Sequence, residues 1–262
     1  MILLGWLPVA NPVAFTIFGI DIMWYALMLT TGIVAAFAVA YSRCRSRDLN
    51  PDFVYDIAIV GIPFGMIGAR LYYVIFEWKN YAGDLTQIFN LRAGGLAIHG
   101  AVIGGFGALA VLMIIKKQDP IKWLDIAFVG LPLGQAIGRW GNYFNSEAHG
   151  GPTDLPWAIY ADGEWVHPTF LYESIWCLLL FILLLSLDIR KPGFKGRNIC
   201  IYMVLYGIER YFVEGLRTDS LWIGPFRQAQ VISAFTIVLG IILWFVFKKK
   251  FGAKENMPKN QD

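Results

Sequence analysis

Seven apolar runs of about 18 residues or more alternate with short polar breaks, at 17–41, 53–76, 95–115, 123–144, 169–188, 198–216 and 229–247. Such a run, wound at about 1.5 Å per residue, covers the hydrocarbon thickness of a bilayer. The pattern therefore predicts an all-α polytopic membrane protein with seven transmembrane helices. The breaks carry turn or charge signals: Arg43 to Pro51, Trp78 to Arg92, Lys116 to Lys122, Ser146 to Pro168, Arg190 to Arg197 and Thr218 to Arg227. With no low-complexity segment and no repeat beyond small-residue spacing, residues 1–262 read as a single integral membrane domain with an external loop at about 146–168.

Basic residues supply the orientation. Arg43, Arg45 and Arg47 follow the first run, Lys116, Lys117 and Lys122 the third, Arg190, Lys191, Lys195 and Arg197 the fifth, and Lys248, Lys249, Lys250, Lys254 and Lys259 the seventh. The other side holds only Lys79, Arg92, Arg217 and Arg227, while Arg70, Arg139 and Arg210 lie inside runs. By the positive-inside rule the N-terminus is outside and the C-terminus cytoplasmic. The 146–168 loop, which contains no Lys or Arg, is then external.

Composition sharpens the class. At 57% hydrophobic and a mean hydropathy of +0.54, the chain has more apolar surface than a soluble domain of its size can bury. The first residues lack a basic n-region and a small-residue cleavage site, so no removable signal is expected and the first run serves as its own address. Cys44, Cys177 and Cys200 form no CxxC pair, which gives neither a disulfide framework nor a zinc site. No nucleotide or metal motif is present, so no cofactor and no nucleic-acid partner are expected.

The candidate chemistry centres on GRWGNYFNSEAHG, 138–150, where Arg139, Asn142, Asn145, Glu147 and His149 follow a long apolar segment. On a continuous helix Gln135, Arg139 and Asn142 share one face. Gly130, Gly134 and Gly138 recur every four residues and mark a packing face. Arg139 lies roughly 25 Å beyond Lys122 along the helix, in the outer half, and Arg70, Arg210 with Glu214, His99 and Tyr25 come out at similar depth. Glu214 neutralises Arg210 at the i, i+4 spacing, and Glu147 is in reach of Arg139. Arg70 has no evident partner, so positive charge is left over. A guanidinium is a planar fork of donors that suits phosphate, which at this depth means a lipid headgroup. The Arg210 and Glu214 pair taken alone reads equally well as a structural bridge.

His99, in GGLAIHGAVIGG (94–105), reads equally as a packing residue or a general base. Gly100, Gly104 and Gly107 again mark a face open to close approach. In HPTFLYES (167–174), Pro168 and Glu173 suit a helix start, and Tyr172 and Glu173 can point into the cavity. A transporter of lipid or anion using the buried arginines is the alternative class. Against it stand the lack of an internal repeat and of polar residues continuing into the cytoplasmic half.

These motifs, together with WYALM (24–28), GARLYYV (68–74) and LYGIERYFVEGLRTDS (205–220), resemble the prolipoprotein diacylglyceryl transferase family along most of the chain. Ala101 stands where many members carry a second Gly after the histidine. The resemblance implies a multi-pass enzyme of the bacterial cytoplasmic (inner) membrane with two substrates, the membrane lipid phosphatidylglycerol and the lipobox cysteine of a prolipoprotein signal peptide. It also implies that Tyr25, His99, Arg139, Asn142, Glu147, Gly150, Arg210 and Glu214 occupy functional positions. On this reading His99, Arg139 and Arg210 are catalytic, and Tyr25, Arg70, Asn142, Glu147, Gly150 and Glu214 bind substrate.

Overall fold

Helix boundaries follow the local chemistry closely in the computed structural model, which describes residues 11–90, 94–190 and 193–255. Arg92, Lys191, Lys259 and the residues bearing on a signal segment lie outside the described set. Seven long helices form: α1 (Trp24–Cys44), α2 (Phe53–Phe76), α3 (Ile98–Ile115), α4 (Pro120–Phe144), α5 (Thr169–Arg190), α6 (Arg197–Leu216) and α7 (Gln228–Glu255). Proline and a cap set the start of α4: Asp119 Oδ1 accepts from the backbone N–H of Ile121 at 3.1 Å and of Lys122 at 3.4 Å, satisfying donors that a helix start leaves unpaired. Five helices, α1, α2, α3, α5 and α7, are long and apolar enough to cross a membrane. The other two carry the charges, α4 with Lys122, Asp125 and Arg139 and α6 with Arg197, Glu209, Arg210 and Glu214.

Helix dominates as expected, but among the described residues three small antiparallel hairpins lie in two of the polar breaks and at one helix entry. β1 (Val13–Ile17) ends where the first apolar run begins, and β2 (Ile20–Met23) occupies what hydropathy alone assigned to the start of the first helix. Most of their residues are β-branched or aromatic, and Phe18 and Gly19 turn the chain at φ of 49° and 75°, the left-handed pair that a two-residue hairpin requires. β3 (Ile159–Ala161) and β4 (Glu164–Val166) turn at Asp162 and Gly163 in the same way. β5 (Trp222–Ile223) and β6 (Phe226–Arg227) precede α7.

The chain divides into two compact units, one within Cys44–Trp123 and one formed by the described residues on either side of it. In the first, α2 and α3 run antiparallel, with Asp56 and Lys116 paired at 3.6 Å near one end. Their backbones touch: a Cβ on Gly68 would lie 2.9 Å from the Cα of Gly104, so small residues allow the close approach that drives helix association in lipid. Gly107 has open space instead.

In the second unit α4 and α6 lie on the inside, which lets them carry polar residues that lipid would reject. Gly130 and Gly134 pack against Ala36 and Gly32 of α1, as expected of a packing face, whereas Gly138 meets nothing within 4 Å. Leu180, Leu184 and Tyr202 form an apolar middle layer with Phe128, Leu205 and Tyr206. A second cluster, Ile159, Ala161, Val166 and Phe170 with Trp140 and Tyr143, seats the β3–β4 hairpin on the C-terminal end of α4.

Candidate active site

Two residues of the stripe predicted on α4, Gln135 and Arg139, meet α6, whereas Asn142 turns to the following loop. Gln135 Oε1 accepts from the Tyr202 hydroxyl at 3.0 Å, and Arg139 Nη2 donates to the Tyr206 hydroxyl at 3.3 Å. The two tyrosine rings, one turn apart on α6, stack at 5.1 Å. Just beyond them, three guanidinium groups gather on one carboxylate. Glu173 of α5, 1% exposed, pairs through Oε2 with Arg139 Nε and through Oε1 with Arg210 Nη1 at 3.4 Å and Arg217 Nη1 at 3.6 Å.

Each of the other two carboxylates serves an arginine within a turn or so of it in sequence. Glu214 Oε2 holds Arg210 Nη2 at 2.7 Å, as the i, i+4 spacing predicts. Asp219 takes Arg217 by Nε at 2.9 Å and Nη2 at 2.7 Å, a two-pronged contact that holds the Asp219 carboxyl below the usual carboxylate range. The expected surplus of positive charge is therefore met at this cluster by three acids. Glu209, beside Arg210, is also buried, and neither of its carboxylate oxygens has a hydrogen-bond partner among the described residues.

Glu147 was expected to approach Arg139, but it turns to its own loop. Its Oε1 accepts from Asn142 Nδ2 at 2.9 Å and Asn145 Nδ2 at 3.4 Å, while its backbone N–H closes on Asn142 O at 3.0 Å. The carboxylate on Arg139 comes from Glu173 instead. Tyr25, 38% exposed at the start of α1, packs on α4 at Gly141, where a Cβ would lie 2.8 Å from its ring, one residue from Asn142. Gly150 sits at a crossing of three segments: its N–H donates to His167 O at 2.9 Å, and the next N–H, of Gly151, donates to Leu216 O at 3.0 Å. A side chain at Gly150 would come within 2.6 Å of His167 Cβ, so the geometry gives this glycine a packing task where substrate contact was expected.

Arg70 and His99 belong to the Cys44–Trp123 unit. Arg70 is 6% exposed and far from partnerless: Nε donates to Ile88 O at 2.7 Å, Nη1 to Gly94 O and Gly95 O at 2.7 and 2.9 Å, and Nη2 to Gln87 O and Asn90 O at 2.6 and 3.2 Å. A guanidinium has five N–H groups, and all five are engaged by loop carbonyls. This corrects the expectation that Arg70 lacks a partner: the side chain ties together described parts of the chain between α2 and α3. Gly95, at φ of 76°, leaves the room, because a Cβ there would lie 2.6 Å from Arg70 Nη1. His99 is exposed in the first turn of α3, with the Tyr72 ring 6.0 Å away.

Sequence reading named Glu173 only as a helix-start residue able to point inward. The i, i+4 and i, i+7 spacing put Arg217 on the face of Arg210 and Glu214 but gave it no role in the site.

Apolar helices enclosing a paired cluster of arginines and buried acids define a multi-pass membrane protein that keeps charge in its interior. The chain belongs to a particular family of such proteins: the family model for prolipoprotein diacylglyceryl transferase matches residues 12–246. It is 51% identical over 238 residues to the phosphatidylglycerol–prolipoprotein diacylglyceryl transferase of Clostridioides difficile, covering 91% of this chain and 96% of that protein. The proteins of the same name from Finegoldia magna, 47% identical over 91% of this chain and 96% of the relative, and Clostridium kluyveri, 44% identical over 93% and 99%, are similarly close.

Proposed function

We propose that this transferase moves the diacylglyceryl group of phosphatidylglycerol onto the thiol of a prolipoprotein lipobox cysteine at the outer leaflet of the bacterial cytoplasmic membrane, the first step of lipoprotein modification. The acceptor sulfur attacks the glycerol carbon that bears the phosphate. A carbon–sulfur bond forms, the carbon–oxygen bond to phosphate breaks, and its electron pair leaves with the oxygen as glycerol phosphate. The thiol proton passes to a base, the role for which the sequence offers the His99 imidazole. The observation that carries this reading is the meeting of Arg139 and Arg210, from two different helices, on the carboxylate of Glu173.

A free thiol ionises at a pKa of about 8.5, so it needs a base or nearby positive charge at neutral pH. The departing phosphate gains charge as its bond to carbon breaks. Donors fixed in place before the reaction stabilise such charge by about 3 to 4 kcal/mol each, and Arg139 and Arg210 serve here. Glu214 and Glu173 hold the arginines, Tyr25 and Asn142 orient headgroup or thiol, and Glu147 sets Asn142. Arg70 acts through the loop it organises. The protein works as one integral membrane domain of seven spans, with its N-terminus outside and the 146–168 loop external.

Purified protein incubated with labelled phosphatidylglycerol and a lipobox peptide tests the reading: labelled thioether product is expected, with or without EDTA, and its absence would overturn the assignment. For orientation, a cysteine placed at Asp162 is expected to react with an impermeant thiol reagent in intact cells and one at Lys117 is not; the reverse pattern would reject the topology. His99→Gln is expected to lower the maximal rate at neutral pH and to recover part of it at higher pH, as the acceptor thiol ionises in solution. A deficit flat across pH would remove His99 from the chemistry.

A further inference from the structure

We infer that Glu173 is the positioning residue of this reaction, fixing the spacing of Arg139 and Arg210 and holding the site's affinity for phosphate low enough for product to leave. The inference rests on the transfer reaction proposed above. Glu214 reaches Arg210 from its own helix, and Asp219 reaches Arg217 from two residues away. Such local pairs travel with their arginines and set no distance between helices. Among the described ion pairs of this cluster, Glu173 is the one that joins the arginine of α4 to Arg210 of α6 and to Arg217 just past its end.

Its own position is fixed from both sides. Next to it, Ser174 Oγ donates to Ala136 O of α4 at 2.8 Å, and one turn on, Trp176 Nε1 donates to Leu205 O of α6 at 3.1 Å. The backbone carrying Glu173 is thus tied to the two helices whose arginines it spans. The carboxylate has no freedom to follow one arginine away from the other.

Charge gives the second half of the argument. The lipid donor is a phosphodiester with one negative charge, whereas the product is a monoester whose second pKa is about 6, so it carries nearly two at neutral pH. Arginines without an opposing acid would hold product more tightly than donor and slow turnover. A carboxylate that is 1% exposed opposes that attraction in a medium of low dielectric, where its effect is large.

Two variants separate these effects in the purified protein, with phosphatidylglycerol, lipobox peptide and glycerol 1-phosphate as added inhibitor. Glu173→Gln keeps the shape and an accepting oxygen but removes the charge. Its kcat per folded molecule is expected to fall on the order of tenfold or more while glycerol 1-phosphate inhibits on the order of tenfold more tightly. Glu173→Asp keeps the charge but draws it back by one methylene, so kcat is expected to fall with inhibition unchanged. An active fraction that drops with kcat per folded molecule and inhibition as in wild type would make Glu173 merely structural and overturn the inference. If Glu173→Gln does not fold, Glu173→Asp decides, and a wild-type kcat there overturns it. Wild-type protein that forms no thioether would instead reject the transfer reaction itself.

Discussion

Helices α4, α5 and α6 carry a charged cluster at each end, and the two are built on different plans. At the end near the start of α6, Asp188 of α5 takes Arg43 Nε of α1 at 2.8 Å and Asn198 Nδ2 at 3.2 Å. Asp125 of α4 accepts the backbone N–H groups of Asn198 and Ile199 at 2.8 and 3.3 Å, capping α6 from another helix and satisfying donors its first turn leaves open. Asp125, Asp188 and Asn198 are all about fully buried. This cluster joins four helices through helix ends and fixed acids. At the other end three arginines share Glu173 and face outward in sequence toward the loop, with α6 closed by Arg227, whose Nη1 donates to Glu214 O and to Arg217 O at 3.1 Å. The apolar layer of Leu180, Leu184 and Tyr202 lies between.

The first cluster also corrects the expectation that no buried polar residues continue to the far half of the helices. What separates the clusters is how the charges are arranged: acids bound to backbone groups and to an arginine hold a fold together, whereas three guanidinium forks converging on Glu173 bring planar donors together where an incoming anion can meet them.

Breaking the acid-centred cluster is expected to have the largest effect on stability. Asp188→Ala removes the buried carboxylate that Arg43 and Asn198 share, and loss of one partner of a buried pair costs about 3–5 kcal/mol. Thermal unfolding should fall sharply, with activity per folded molecule near wild type; a wild-type melting temperature would remove the structural role. Arg70→Lys keeps charge but cannot reach five carbonyls. With hydrogen bonds from a charged group worth roughly 1.5–3 kcal/mol each, a loss of a few kcal/mol is expected, read as faster proteolysis of the 77–97 loop; an unchanged cleavage rate would contradict the loop role. Gly150→Ala forces a methyl against His167 and should cost about 1–3 kcal/mol, measurable by denaturation. Asp219→Asn is expected to cost under about 1 kcal/mol, since its side chain is half exposed. Because Arg217 depresses the folded-state pKa of Asp219, its contribution is present above the ordinary carboxylate pKa and is lost as pH falls through the depressed value. The variant should therefore differ from wild type at neutral pH and converge with it in acid; a gap that widens in acid would contradict the pairing.

Much of this was legible in the chain. The run 53–76 coincides with α2 because Pro51 and the following charge mark its start and a polar break its end. The β1–β2 hairpin was hidden because its apolar strands continue without interruption into α1, and hydropathy does not tell a short strand from the start of a helix. Arg139, Arg210 and Glu214 were readable from periodicity, which is local. Glu173 was not, because its role depends on α5 docking between α4 and α6. Arg70 misled for a related reason: its partners are backbone carbonyls, which every residue has and no sequence motif announces.

The distinction between the two clusters meets its most direct test in Arg139→Lys, assayed for diacylglyceryl transfer and thermal unfolding on the same purified sample, with Asp188→Ala alongside. Lysine retains the charge and loses the planar fork. Transfer per folded molecule should fall by about 10²–10³ with the melting temperature close to wild type, the inverse of the Asp188 result. Full transfer by Arg139→Lys, or a loss of transfer that merely tracks unfolding, would contradict the assignment of the arginine cluster to phosphate recognition.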